Sequence, residues 1–123
     1  MSVIQRALES VFRQTFPPTE VIVIDDGSTD ETAAMIRTNY PAVRLLSQKN
    51  MGISATRNAG IRMAKADWLA LLDSDDEWLA DKLQQQMQAL QENPHYLFCH
   101  TNETWIRNGL QLKQMKKHHK YGG

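Results

Sequence analysis

The chain has 123 residues, 41% of them hydrophobic and 23% charged, which suits one small globular domain. Charge sums to zero but unevenly: residues 1–93 carry nine Lys/Arg against thirteen Asp/Glu, and residues 94–123 five against one. No apolar run approaches the ~18 residues of a transmembrane helix, no signal-peptide pattern opens the chain, and the single Cys99 excludes an internal disulfide. A cytoplasmic protein is expected, with the basic end free to meet an anionic ligand or the inner face of a membrane. Nucleic acid is not among the expected partners.

In chain order, Ile4, Leu8, Val11 and Phe12 mark one face of a helix over residues 3–14. Pro17-Pro18 stops it. Glu20 to Ile24 is β-branched and uninterrupted, a buried strand ending in Asp25-Asp26-Gly27-Ser28. Ser28-Thr29-Asp30-Glu31 is a capping box, which starts a helix running to about Asn39. Val43 to Leu46 is a short strand. Asn50-Met51-Gly52 is a loop, and a helix follows from Ile53 to Ala66. Trp68 to Leu72 is five apolar residues in a row, a strand buried on both faces, and it breaks into Asp73-Ser74-Asp75-Asp76. Leu79, Leu83, Met87 and Leu90 mark another helix, ended by Asn93-Pro94. Tyr96 to Cys99 begins a strand, and Asn108-Gly109 is a hairpin turn between Trp105–Arg107 and Leu110–Leu112.

Alternating helices and strands imply an α/β fold: a three-layer, mostly parallel sheet with helices on both faces, plus a C-terminal hairpin. One domain over residues 1–123 is expected, with 113–123 a basic, flexible tail. In such a sheet, ligands bind beyond the carboxyl ends of the strands. Asp25-Asp26 and Asp73-Asp75 both follow such ends and should share one sheet edge. Clustered carboxylates repel unless a cation or hydrogen-bond donors offset them. Their oxygens are hard ligands that suit Mg²⁺ or Mn²⁺, with a phosphate completing the shell. The plainer readings are a helix cap for Asp25–Ser28, a solvated turn for Asp73–Asp76 and an exposed helix arginine for Arg57. Likewise His118-His119 reads as part of a solvated basic tail, and Trp68, Trp78 and Trp105 as core or boundary aromatics.

Four ordered blocks carry a resemblance. They are Arg6–Val11 with Gln14–Pro18, Glu20–Asp30, Asn50–Gly60 and Leu72–Asp76. Together they resemble the family 2 glycosyltransferases of the GT-A fold over nearly the whole chain. The resemblance implies a partial GT-A domain, the Rossmann-like nucleotide-binding half. It implies a nucleoside-diphosphate sugar as donor, most often a uridine one, and a glycan or lipid-linked acceptor. Asp25, Asp26, Arg57 and Asp73 would bind the nucleotide, with Asp26 on the base. Asp73 and Asp75 would form the metal motif for Mn²⁺ or Mg²⁺, with Asp75 the direct ligand.

The pattern departs from that family at both ends. The usual apolar first strand has no room before the first helix. The catalytic base, an Asp or Glu of an acceptor-binding segment, is expected beyond the C-terminus, and Glu103 is no convincing substitute. The expectation is therefore a donor-binding part cut at both ends, with negligible turnover alone. Without its first strand, the Val21–Ile24 and Trp68–Leu72 strands would stand ~9.5 Å apart, two strand spacings. They could close up, take in another segment, or be covered by a second molecule, so a twofold homodimer is expected. Two other readings are a receiver-like Mg²⁺-binding signalling domain with Asp73 as phosphoacceptor, and a non-catalytic dimerising fragment.

Overall fold

A computed structural model describes residues 2–27, 31–99, 105–107 and 110–112. The Ser28 cap, Glu103, the Asn108-Gly109 turn and the 113–123 tail lie outside the described residues. The elements run α1 (Val3–Phe12), β1 (Ile22–Asp26), α2 (Glu31–Asn39), β2 (Arg44–Gln48), α3 (Ile53–Met63), α4 (Lys82–Glu92), β3 (Trp105–Arg107) and β4 (Leu110–Leu112). The fold is α/β. The chain forms two compact units, residues 1–13 with 17–78, and residues 14–16 with 79–123.

In the first unit β1 and β2 pair in parallel, with Ile22 opposite Arg44 and Asp26 opposite Gln48. The crossover between them is α2, as a parallel pair requires. Helix α3 packs on β1 and α2 on β2. Ala59 of α3 is buried, and its neighbour Gly60 brings the helix backbone close to Ile24. A capping box starts α1: the Ser2 hydroxyl accepts from the Gln5 N–H, and the Gln5 side chain accepts from the Ser2 N–H. Its inward face buries Ala7, Leu8 and Val11, while Ile36 of α2 is almost wholly buried. Phe12 stacks on Tyr40 at 5.9 Å between ring centroids, and the Tyr40 hydroxyl donates to Glu9 at 2.7 Å.

Glu20 ties the far end of α3 to the start of the sheet. Its carboxylate accepts from the Lys65 and Ala66 N–H groups and pairs with Arg44 at 2.7 Å. The Lys65 N–H contributes most to holding the pKa of the Glu20 carboxyl below the usual glutamate range, with burial acting the other way. Arg44 also donates to the Met63 carbonyl, one of those a helix end leaves unpaired.

Two expected strands do not form. Trp68–Leu72 makes no ladder, and β1 pairs with β2 alone among the described residues. Trp68 is 42% exposed, Leu69 46% and Leu71 58%, so the run is not buried on both faces. Strand geometry needs a neighbour to take its N–H and C=O groups, and β1 has not closed up to serve as one. For the same reason β1 is half-buried along its length rather than buried. Tyr96–Cys99 likewise forms no strand, and Tyr96, Leu97 and Phe98 are exposed.

In the second unit α4 begins at Lys82, so Leu79 precedes the helix and is exposed instead of joining its apolar stripe. Leu83 is buried. Asp81 makes no side-chain cap. The buried Gln14 does that work from a distance: its amide accepts from the Leu83 N–H at 3.0 Å and donates to the Leu79 carbonyl at 2.7 Å. The C-terminal β3 and β4 pair antiparallel, Trp105 opposite Leu112, as the hairpin signal predicts. Among the described residues no helix is long and apolar enough to cross a membrane.

Candidate functional site

Every candidate site residue lies in the first unit. Asp25 and Asp26 are the last residues of β1. Side chains alternate along a strand, so Asp26 shares the α3-facing side with Ile24, and Asp25 takes the opposite side. Asp26 is half-buried and heavily bonded. Its Oδ1 accepts from the Met51 N–H at 2.7 Å and from Gln48 Nε2 at 3.2 Å, and its Oδ2 from the Gly52 N–H at 3.0 Å. The Met51 N–H is the largest influence holding this carboxyl below the usual aspartate range. Burial opposes it, and Gln48, Gly52 and Thr56 add to it.

The turn after β1 and the loop after β2 interlock around that carboxylate. Gly27 has φ +84°, a region that L side chains rarely adopt, and a Cβ there would come within 2.2 Å of Asn50 Oδ1. Gly52, with φ +90°, is the N-cap of α3 and offers no side-chain cap.

Arg57 stands in the second turn of α3 and donates to Asp73 Oδ1 at 2.9 Å. Both side chains are close to half exposed, so the pair adds only ~0.2–1 kcal/mol to stability. Because Trp68–Leu72 is no strand, the expected shared sheet edge does not form; the two acidic stretches are instead linked through α3, whose entry residues Met51 and Gly52 donate to Asp26 and whose Arg57 pairs with Asp73.

Asp73–Asp76 form a tight turn, closed by the Asp76 N–H donating to the Asp73 carbonyl at 3.1 Å. The turn gathers three exposed carboxylates, Asp73, Asp75 and Asp76, whose oxygens approach to within 4.8 Å of one another. Three carboxylates that converge in this way can supply part of the octahedral oxygen shell that Mg²⁺ takes. The donor set, all carboxylate oxygen, also suits a hard divalent cation. The cluster could therefore hold a divalent metal.

Residues 2–122 match the family described as glycosyl transferase family 2. The chain belongs to that family. Among its relatives, the "uncharacterized glycosyltransferase YibD" of Escherichia coli (strain K12) is 39% identical over 109 residues, 80% of this chain and 32% of the relative. A chondroitin synthase of Escherichia coli is 42% identical over 76 residues, 59% of this chain and 11% of that protein. The succinoglycan biosynthesis protein ExoO of Rhizobium meliloti (strain 1021) is 41% identical over 87 residues, 69% of this chain and 25% of that protein. The chain thus spans a third or less of the length of these relatives.

Three residues of the site were not singled out by sequence reasoning. Asp76 completes the acidic cluster, and Gln48 and Thr56 bind the Asp26 corner together. Asp76 was visible as the last acid of the run. Gln48 and Thr56 had no signal of their own, because an isolated Gln or Thr looks like any surface residue until register places it. The register of β1 on β2 sets Gln48 opposite Asp26.

Proposed function

We propose that this chain is the donor-binding part of a glycosyltransferase. It would hold a nucleoside-diphosphate sugar, a uridine one first of all, with a divalent cation, Mn²⁺ or Mg²⁺. The site is the edge carrying Asp25, Asp26, Arg57, Asp73 and Asp75. The observation that carries this reading is the three-carboxylate turn with Arg57 bonded to its first member. A lone acidic turn would be a poor place for a diphosphate. An arginine beside it supplies a planar donor fork suited to phosphate oxygens.

Transfer of a sugar breaks its bond to the diphosphate and leaves negative charge on the departing oxygen. A divalent cation at Asp73 and Asp75 would act there as a Lewis acid. Arg57 supplies a fixed positive charge to the same group, already oriented before the reaction begins. Asp25 and Asp26 lie at the β1 end, where the nucleoside half belongs. The acceptor must also lose a proton to a base, a role assigned to no residue of this chain. A glycan acceptor is supported by the names of two relatives, a chondroitin synthase and a succinoglycan biosynthesis protein. The β1 edge that pairs with no second strand among the described residues and the exposed Trp68, Leu69 and Leu71 favour a twofold homodimer.

Calorimetric titration with uridine diphosphate, with and without Mn²⁺, tests the reading. Saturable binding that requires the cation is expected. No heat at millimolar nucleotide would leave the family relation as a statement about fold.

A further inference from the structure

The acidic turn is held differently on its two sides. The run before it, Trp68–Leu72, joins no ladder among the described residues, so no sheet fixes the turn from that side. Arg57 meets Asp73 at 2.9 Å, but both side chains are close to half exposed and solvent screens their attraction. The side after the turn reaches the core. Two residues beyond Asp76, the Trp78 N–H donates to Ser10 Oγ at 3.1 Å. Ser10 is 1% exposed and lies on the face of α1 that also buries Ala7 and Val11. Its single hydroxyl proton goes to the Ala7 carbonyl at 2.6 Å, three residues back. Only lone pairs remain, so toward Trp78 the hydroxyl acts as an acceptor. Helix α1 is itself well fixed, by a capping box at its start and by the packing of Ala7, Leu8 and Val11. An exposed turn is thereby tied to a buried point 68 residues away in sequence.

Asp73, Asp75 and Asp76 bring their oxygens within 4.8 Å of one another, and three like charges so close repel. A loosely held turn would relieve that repulsion by opening, whereas a cation needs the carboxylates gathered. We infer that Ser10 is a positioning residue for the cation site: its buried hydroxyl pins the chain at Trp78 and so keeps the Asp73–Asp76 carboxylates together. Ser10 itself touches neither cation nor nucleotide. The inference rests on the proposed donor site and adds to it the group that holds the metal-binding turn from behind. If Ser10 served packing alone, its loss would lower stability and leave the turn where it stands.

The test uses Ser10→Ala in the full chain, with Mn²⁺ alone as the probe and the paramagnetic resonance of free Mn²⁺ as the readout. Alanine is the better helix former, so α1 is not weakened from within. Mn²⁺ affinity should fall about tenfold, as is typical when a partner behind the metal ligands is lost. Ile36→Val serves as the control for general loosening, because it trims the core without touching the turn. Its Mn²⁺ affinity should match wild type. An unchanged affinity in Ser10→Ala, or an equal loss in Ile36→Val, would overturn the inference. NMR of the metal-free chain gives a second readout. Ser10→Ala should shift the amide resonances of Asp73, Ser74, Asp75 and Asp76 as well as that of Trp78. Shifts confined to Trp78 and α1 would overturn the inference even if the wild-type chain binds no Mn²⁺, an outcome that would separately sink the cation-site reading. Should Ser10→Ala fail to fold, Trp78→Pro removes the donor of the same bond, and Trp78→Ala keeps it. Tenfold weaker Mn²⁺ binding by the proline variant than by the alanine one is expected, and equal affinities would count against the inference.

Discussion

Asp26 and Asp75 both stand just past an apolar run, yet the chain treats them differently. Asp26 is half-buried, and two backbone amides and a side-chain amide point at its oxygens. Asp75 is exposed in a turn beside two other carboxylates. The first arrangement stabilises a negative charge with the chain's own donors. The second gathers three exposed carboxylates at one turn, with Arg57 of the same chain paired to the first of them. Similar acidic residues therefore differ in how far the chain's own donors meet their charge. The same division runs through the apolar runs before them: β1 pairs with β2 and rests on α3, whereas Trp68–Leu72 joins no ladder among the described residues.

The largest effect should come from the packed side of this contrast. Ile36→Ala removes the most deeply buried large side chain and should cost ~2–5 kcal/mol in urea unfolding. A cost below ~1 kcal/mol would mean that the sheet and its helices are less tightly packed than they stand here. On the acidic turn, Asp75→Ala should weaken Mn²⁺-dependent uridine diphosphate binding about 100-fold, a loss of ~2.7 kcal/mol, and leave the thermal midpoint unchanged. Persistence of full affinity would remove Asp75 from the metal site.

Acid should separate the two corners further. The folded-state pKa of Asp26 lies below the ordinary value of 3.8, so ionised Asp26 favours the folded state. That contribution is complete above the unfolded value and is lost as pH falls through the lower, folded one. Asp26→Asn should therefore be less stable than wild type at neutral pH, with the difference shrinking as pH drops below 3.8. A constant difference across that window would show that the carboxylate charge is not what the loop amides hold. The smallest effect is expected at Leu71→Ser, within ~0.5 kcal/mol in stability because the side chain is already 58% exposed. If the exposed run is what joins two copies, the same substitution should shift sedimentation from dimer to monomer. An unchanged dimer would place the interface elsewhere.

Much of this was legible in the sequence, for identifiable reasons. The helices α1, α2, α3 and α4, the strands β1 and β2, and the hairpin each rest on local signals such as periodicity, proline stops and the Asn-Gly turn. Trp68–Leu72 and Tyr96–Cys99 carried equally apolar local signals but formed no strand, because a strand also needs a neighbour and no local pattern records whether one is present. The acidic turn and Arg57 were legible as residue types in recurring blocks. Their direct pairing at 2.9 Å depends on how α3 lies over β1, which is tertiary information. The Gln14 cap of α4 shows the same limit, since its partners Leu79 and Leu83 lie 65 and 69 residues away.

The central claim is that the Asp73–Asp76 turn is a cation site served by Arg57. Paramagnetic Mn²⁺ tests it most directly, because it broadens NMR signals close to where it binds. Substoichiometric Mn²⁺ added to the ¹⁵N-labelled chain should first erase the amide signals of Asp73, Ser74, Asp75 and Asp76. Uridine diphosphate should then extend the loss to the Arg57 Nε–H and Asp25. Uniform broadening, or broadening centred on another acidic stretch while residues 73–76 stay sharp, would contradict the account.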